Sequence, residues 1–306
     1  MTRADGAAPA GAAPDGAAPG DAAAGPRILV IDGNVAAVRA RQQAALGYDS
    51  GTGYANVLRR IDPSLRVDIL TAADGAVLPA GVALDSYDGV TVTGSALNVY
   101  NGGAPVVHQI ELAKAVFAAG VPFFGSCWGL QVAVTAAGGE VRANPRGREF
   151  GFARRVVLSD AGRGHPLFDG KPSVFEAPAV HRDSIASLPA GAQALALNDF
   201  GLQAASFTHA RGTFWGVQYH PEYDYRDIAA AAERYGDTLV TEGMFRDEAA
   251  LAAFAAELRA LQANPADAPL LWKHGLGLAM QSEPLRLLEI RNWLRTQVLP
   301  RVLRRM

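Results

Sequence analysis

The chain has 306 residues, 49% of them hydrophobic, and a formal charge of −2. That length allows a sizeable core in one or two domains, and the near-neutral charge encodes no global attraction to nucleic acid or to an anionic membrane. A single cysteine excludes an internal disulfide and a cysteine-rich metal cluster, and no run of eighteen apolar residues is present to span a bilayer. A cytoplasmic enzyme without metal or cofactor fits this composition. The lone cysteine is then either a small buried hydrophobe or a nucleophile.

Residues 1–25, MTRADGAAPAGAAPDGAAPGDAAAG, contain no Leu, Ile, Val or aromatic residue. They cannot bury enough surface to offset ordering entropy, which predicts a disordered leader. With no apolar centre and one Arg they do not read as a targeting peptide. Ile28-Leu29-Val30-Ile31 before Asp32-Gly33 reads as a buried parallel strand ending in a turn. A polar segment follows, Gly51-Thr52-Gly53 loosens the chain, and 54–60 forms a short helix. Strands are expected over 65–71 and 89–93, a helix over 106–119 stopping at Gly120, a strand over 121–125 and a helix from Gly129 to Ala137.

This alternation predicts an α/β fold with a doubly wound, mostly parallel sheet and flanking helices. From 140 to 220 the pattern turns to strands, at 154–158, 173–175, 193–197, 202–207 and 213–219. Beyond Tyr225 it is helical, at 228–235 and 247–261, and ends in a Leu/Arg amphipathic stretch interrupted by Pro300. The expected organisation is a catalytic domain over 26–225 and a helical extension over 226–306. That extension needs an apolar surface, either the sheet's outer helices or a second subunit, and its Arg291, Arg295, Arg301, Arg304 and Arg305 form a basic rim.

The window that carries chemistry is Phe123-Phe124-Gly125-Ser126-Cys127-Trp128-Gly129-Leu130-Gln131. An apolar strand runs into Gly-x-Cys-x-Gly and then into a helix, the cysteine counterpart of the Gly-x-Ser-x-Gly nucleophile elbow. A cysteine at a helix N-terminus sits in partial positive charge that favours thiolate. A thiolate needs a histidine to move protons and a third group to orient it. Of six histidines, His220 ends the strand Phe214–Tyr219 and is followed by Pro221 and Glu222, close enough in an extended segment to point the same way. His181, followed two residues on by Asp183, is the rival base.

Three ordered motifs, Gly125-Ser126-Cys127-Trp128-Gly129-Leu130-Gln131, Arg148-Glu149-Phe150-Gly151 and Gly216-Val217-Gln218-Tyr219-His220-Pro221-Glu222, resemble those of the class I glutamine amidotransferases. The likeness is to the amidotransferase domain of GMP synthase and its stand-alone relatives, and it spans 28–225. It implies a triad of Cys127, His220 and Glu222, with Gln131 and the backbone at Phe150-Gly151 holding substrate glutamine. His181 matches a family histidine outside the triad. The resemblance further implies an oxyanion hole from main-chain N–H groups of Gly94, Ser95 and Trp128. Relatives carry proline where this chain has Ala96, a departure that predicts a looser loop.

The implied reaction is attack of Cys127 on a side-chain amide, forming a γ-glutamyl thioester that water hydrolyses. No Ser-Gly-Gly-Val-Asp-Ser loop or phosphate-binding loop accompanies it. The first expectation is therefore a glutaminase supplying ammonia to a separate synthetase. The alternatives are a hydrolase or transferase acting on a small γ-glutamyl peptide or amine, and a non-catalytic module. A homo-oligomer is compatible with any of them.

Overall fold

The structure is a computed structural model that describes residues 25–305. The expected leader, apart from Gly25, lies outside the described residues. Among those residues nine strands form one sheet, in the order β2-β1-β3-β4-β11-β10-β9-β6-β7. Its first half is parallel: β1 (Arg27–Ile31) lies between β2 (Arg66–Leu70) and β3 (Gly89–Val92), then come β4 (Phe123–Ser126) and β11 (Gly212–Val217). Its second half is antiparallel, through β10 (Gly201–His209), β9 (Gln193–Asn198), β6 (Glu149–Leu158) and β7 (Val174–His181). The doubly wound α/β class expected from the sequence is the class observed.

Strand periodicity explains how the sheet is covered. Ile28 and Val30 enter one core cluster, whereas Leu29 and Ile31 enter another on the opposite face. The first face is covered by α2 (Ser50–Ile61) and the C-terminal segment. The second is covered by α3 (Ala104–Ala119) and α4 (Trp128–Ala136). A β-strand buried on both faces needs the continuous apolar run that Ile28–Ile31 supplies.

Three local expectations are corrected. Gly51-Thr52-Gly53 does not loosen the chain: it is the first turn of α2, capped by the Asp49 carboxylate, which accepts from the Thr52 N–H at 2.8 Å. The polar segment before it is also helical, as α1 (Ala36–Leu46). Two strands absent from the reading, β5 (Glu140–Ala143) and β8 (Asp183–Ser187), pair as a separate antiparallel ribbon. Both are too short and mixed in polarity to show an apolar run.

After α5 (Asp160–Arg163), the C-terminal third begins with α6 (Tyr225–Arg234), whose N-terminus carries a capping box of Asp224 and Asp227. The chain then forms α7 (Gly236–Thr241) and α8 (Glu248–Ala263). Pro300 does not end the terminal helix. A π-helical turn at Leu294–Val298 precedes it, and helix resumes at Leu299–Arg305 with the proline in its first turn.

Ile290, Trp293 and Val298 are buried in the cluster that holds Ile28, Val30 and Val217, so the extension's apolar face meets the sheet itself. Its arginines turn back on the same chain: Arg295 pairs with Asp169 and Arg305 with Asp88, both at 2.9 Å, and Arg301 donates to the Gly120 carbonyl at 2.8 Å. No described helix is long and apolar enough to cross a membrane.

Candidate active site

β4 delivers Cys127 into a sharp turn with φ 52° and ψ −101°, and α4 starts at the next residue. A non-glycine residue at positive φ is strained, and the Cys127 N–H is tied to the Val217 carbonyl of β11 at 2.8 Å. The flanking glycines have a steric cause. A Cβ at Gly125 would lie 2.5 Å from the Gly129 carbonyl carbon, and one at Gly129 would lie 2.5 Å from the Val92 carbonyl oxygen. Helix α4 can therefore fold back onto β3 and β4 only if both positions lack side chains. Cys127 is buried and borders a cavity of about 270 Å³.

His220 follows β11, with its N–H held by the Pro178 carbonyl at 2.8 Å. Its Nδ1 lies 2.7 Å from Glu222 Oε1, and the Tyr223 ring stacks on it at 4.0 Å between centroids, 7° from parallel. On its Cε1 edge it lies against Gly94, where a Cβ would come within 2.4 Å of that atom. Burial opposes the imidazolium, but the Glu222 carboxylate and the adjacent Cys127 outweigh it and raise the His220 pKa to about 10. The structure thus brings Cys127, His220 and Glu222 together, with the second ring nitrogen of His220 left for the sulfur.

His181 also borders the Cys127 cavity, but both its nitrogens are occupied. Nε2 lies 2.8 Å from Glu149 Oε2 and Nδ1 3.0 Å from the Asp183 carbonyl. His220 lines the smaller recess beside that cavity, and His108, His165, His209 and His274 line neither.

The loop after β3 is pinned rather than loose. Asn34 bridges it, donating to the Gly94 carbonyl at 3.1 Å and accepting from the Ala96 N–H at 3.0 Å. Ser95 Oγ donates to the Gly33 carbonyl at 2.7 Å and accepts from the Leu97 N–H at 3.2 Å. A proline at 96 has no N–H to offer Asn34, so the alanine exchanges ring rigidity for a hydrogen bond. Ser95 lines the Cys127 cavity, and Gly94 lines a smaller recess beside His220. Trp128 opens α4, where the backbone N–H has no intrahelical partner, and its indole is held by Gln109 at 2.7 Å.

Gln131, one turn into α4, lines the cavity. Phe150 and Gly151 do not. Phe150 packs on Phe245 and Phe254, and Gly151 pairs with Ala179 across β6 and β7. From the same motif it is Arg148 that reaches the wall, held by Glu242 at 2.9 Å. The sequence reading missed Asn98 and Tyr100, which bond Asp183 at 2.8 and 2.9 Å, and Arg182 beside them. The signal for Asp183 was its place two residues after His181. Nothing local marked Asn34, Asn98 or Gln109.

Fold and elbow together define an α/β protein with a buried cysteine on a nucleophile elbow, and comparison places it more closely. Residues 54–231 match the family model for glutamine amidotransferase class-I. Over 279 residues, 90% of this chain and 94% of the relative, the sequence is 37% identical to the gamma-glutamyl-L-1-hydroxyisopropylamide hydrolase of a Pseudomonas species. The glutamine-hydrolysing GMP synthase of Leifsonia xyli is 37% identical over 179 residues, 58% of this chain but 32% of the synthase. A glutamine amidotransferase crystal structure from Thermotoga maritima shares the fold, with a TM-score of 0.61 at 19% identity, covering 89% of this chain and 97% of that one. The chain belongs to the class-I glutamine amidotransferase family, and it is an amide hydrolase.

Proposed function

We propose that the protein hydrolyses the γ-glutamyl amide of a small amine through a thioester on Cys127. The observation that carries this reading is the extent of likeness to the Pseudomonas hydrolase, which at 90% of this chain must reach into the C-terminal extension and covers 94% of that hydrolase, against about a third of the length of the GMP synthase. The cavity chemistry agrees with it. Arg148 and Arg182 offer cations to an α-carboxylate, and Asp183 an anion to an α-ammonium, around a space that ends at Cys127.

The Cys127 thiolate attacks the γ-carbonyl, forming a C–S bond and an oxyanion held by main-chain N–H groups of Gly94, Ser95 and Trp128. One such donor lowers the barrier by about 3–4 kcal/mol. The protonated His220 gives its proton to the nitrogen as the C–N bond breaks, and the amine leaves. Water then attacks the thioester while His220 takes its proton, and glutamate and the thiol are released. Glu222 at Nδ1 keeps the imidazole oriented and offsets its charge.

The first expectation, ammonia delivery to a separate synthetase, draws on the GMP synthase likeness. Glutamate release from glutamine and from γ-glutamyl ethanolamide, measured on purified protein, separates the two. We expect kcat/KM for the alkylamide to exceed that for glutamine by about tenfold, a difference of about 1.4 kcal/mol. A preference for glutamine that rises on adding an ATP-dependent partner would overturn the reading.

A further inference from the structure

A second cavity, of about 100 Å³, lies among α1, α2 and the start of α6, with Glu222 in its wall but not Cys127. Between the two lies the recess beside His220, about 20 Å³ in volume. Among the residues this recess shares are Ser95 and Val180 with the Cys127 cavity, and Gly94, Tyr223 and Arg234 with the second one. The three spaces are thus consecutive along the walls of the triad.

The second cavity has an unmet acceptor. Glu222 uses Oε1 on His220, while its Oε2 is buried and has no hydrogen-bond partner among the described residues. The Glu222 side chain is 4% exposed, so the oxygen has been desolvated without compensation, an arrangement that disfavours an empty site. Asp227 stands in the same wall, accepting from the Tyr48 hydroxyl at 2.8 Å. Burial and the charge of Asp224 push Asp227 up from the ordinary carboxylate range. Of the guanidinium groups nearby, Arg60 is paired with Glu283 at 3.1 Å and Arg226 donates to Tyr48 at 2.9 Å. Arg234 lines both this space and the recess, and its buried Nε has no partner among the described residues, so the space holds one unmet donor beside the unmet acceptor Glu222 Oε2.

We propose that this cavity is the amine subsite, holding the substituent on the scissile nitrogen and then the released amine as its ammonium ion. The inference rests on the γ-glutamyl amide reading. With the γ-carbonyl at Cys127, the nitrogen falls in the recess, which has room for one water-sized group by the rule that a water needs roughly 10–15 Å³. The substituent then enters the second cavity. Since a cavity of roughly 150 Å³ accepts benzene, one of this size suits about four heavy atoms. The occupant is a short primary amine that also carries an acceptor such as a hydroxyl, its N–H groups meeting Glu222 Oε2 and its acceptor meeting Arg234 Nε, with Asp227 and Tyr48 in the same wall.

The test uses ethanolamine as probe, with Tyr48→Phe and Asp227→Asn each made alone and in the Cys127→Ala background. We expect ethanolamine to raise the melting temperature of Cys127→Ala and to inhibit the active enzyme. In both wall variants its affinity should fall about tenfold, or about 1.4 kcal/mol, and the preference for the ethanolamide over glutamine should fall with it. Tyr48→Phe removes one oxygen and keeps the proposal testable should Asp227→Asn, at the helix cap, misfold. Undiminished ethanolamine binding in a folded Tyr48→Phe protein, or turnover of the ethanolamide with no ethanolamine binding, would overturn the subsite. Binding lost in the wall variants, with no turnover of any γ-glutamyl compound, would support the subsite and sink the hydrolase reading alone.

Discussion

Two buried histidine–glutamate pairs lie on adjoining spaces, His181 on the Cys127 cavity and His220 on the recess beside it, and they differ in what is left over. In His220–Glu222 the carboxylate takes Nδ1 at 2.7 Å, and the ring's other nitrogen is left toward Cys127. In His181–Glu149 the carboxylate takes Nε2 at 2.8 Å, and the Asp183 carbonyl takes Nδ1 at 3.0 Å. Glu149 is itself saturated, accepting from Asn198 at 2.6 Å and Gln203 at 2.9 Å. The comparison shows that burial beside a carboxylate does not make a general base. A base needs one nitrogen unspent, and a fully satisfied pair is a strut. This strut is useful, because Asp183 also holds Asn98 and Tyr100 at the cavity's edge.

Substituting each histidine is the most severe way to break that contrast. His220→Ala should lower kcat/KM for amide hydrolysis by roughly 10²–10⁴-fold, the usual range for general acid–base help. His181→Asn should change kcat by less than about threefold while lowering the melting temperature, because Glu149 loses one of its donors. Cys127→Ala should abolish turnover and leave the fold unchanged. A larger kcat loss for His181→Asn than for His220→Ala would exchange their roles.

A less drastic change acts on the charge of the first pair. His220 is raised above its ordinary value of 6.5 to about 10 despite burial, through Glu222 and Cys127. A raised histidine stabilises the fold fully below about pH 6.5, and that contribution is lost as pH rises through about 10. In the proposed mechanism protonated His220 is also the acid that releases the amine, so kcat/KM should decline over the same alkaline range. Glu222→Gln removes the largest raising influence, and both transitions should move to lower pH. A pH–rate profile with an unmoved alkaline limb would show that Glu222 does not set the charge of His220.

The C-terminal extension supplies an anchor beside this pair. Glu289 accepts from the hydroxyl of Tyr219, the residue before His220, and pairs with Lys171 at 3.0 Å, with both charged side chains at 1% exposure or less. Burial pushes the Lys171 pKa down while Glu289 opposes it. Removing one member of such a pair strands the other, at a cost of about 3–5 kcal/mol, so Glu289→Ala should sharply lower the melting temperature. Tyr219→Phe, which keeps the ion pair, should cost about 1 kcal/mol and lower kcat without raising KM.

This anchor was not legible in the chain, whereas the elbow was. Gly125, Cys127 and Gly129 lie within five positions, and His220 and Glu222 within three, so local spacing carries their geometry. Glu289 meets Tyr219 across 70 positions, and Asn34 meets Ala96 across 62, distances at which a polar side chain gives no periodic sign of its partner. The same reason hides the cavity's Asn98 and Tyr100, whereas β5 and β8 are hidden by their shortness and mixed polarity. The fold class was legible because buried parallel strands write themselves as continuous apolar runs.

The smallest effect concerns Ala96, and it tests what an unusual residue does in the proposed oxyanion loop. If the loop were merely loose, Ala96→Pro would rigidify it by restricting the unfolded chain, a gain of about 0.4–1 kcal/mol. The structure predicts the opposite sign. Proline removes the N–H that Asn34 Oδ1 accepts at 3.0 Å, and Asn34 is 2% exposed, so its oxygen is left buried without that partner. The loss of that bond costs about 1–3 kcal/mol, which exceeds the gain from proline. Ala96→Pro should therefore lower the melting temperature by a few degrees and reduce kcat several-fold, since Asn34 also holds the Gly94 carbonyl. Asn34→Ala should cost more, because it also frees the Gly94 carbonyl, and the double variant should be little worse than Asn34→Ala alone, because both changes break the same hydrogen bond to Ala96. Additive losses in that cycle would mean that Asn34 and Ala96 act on the loop independently.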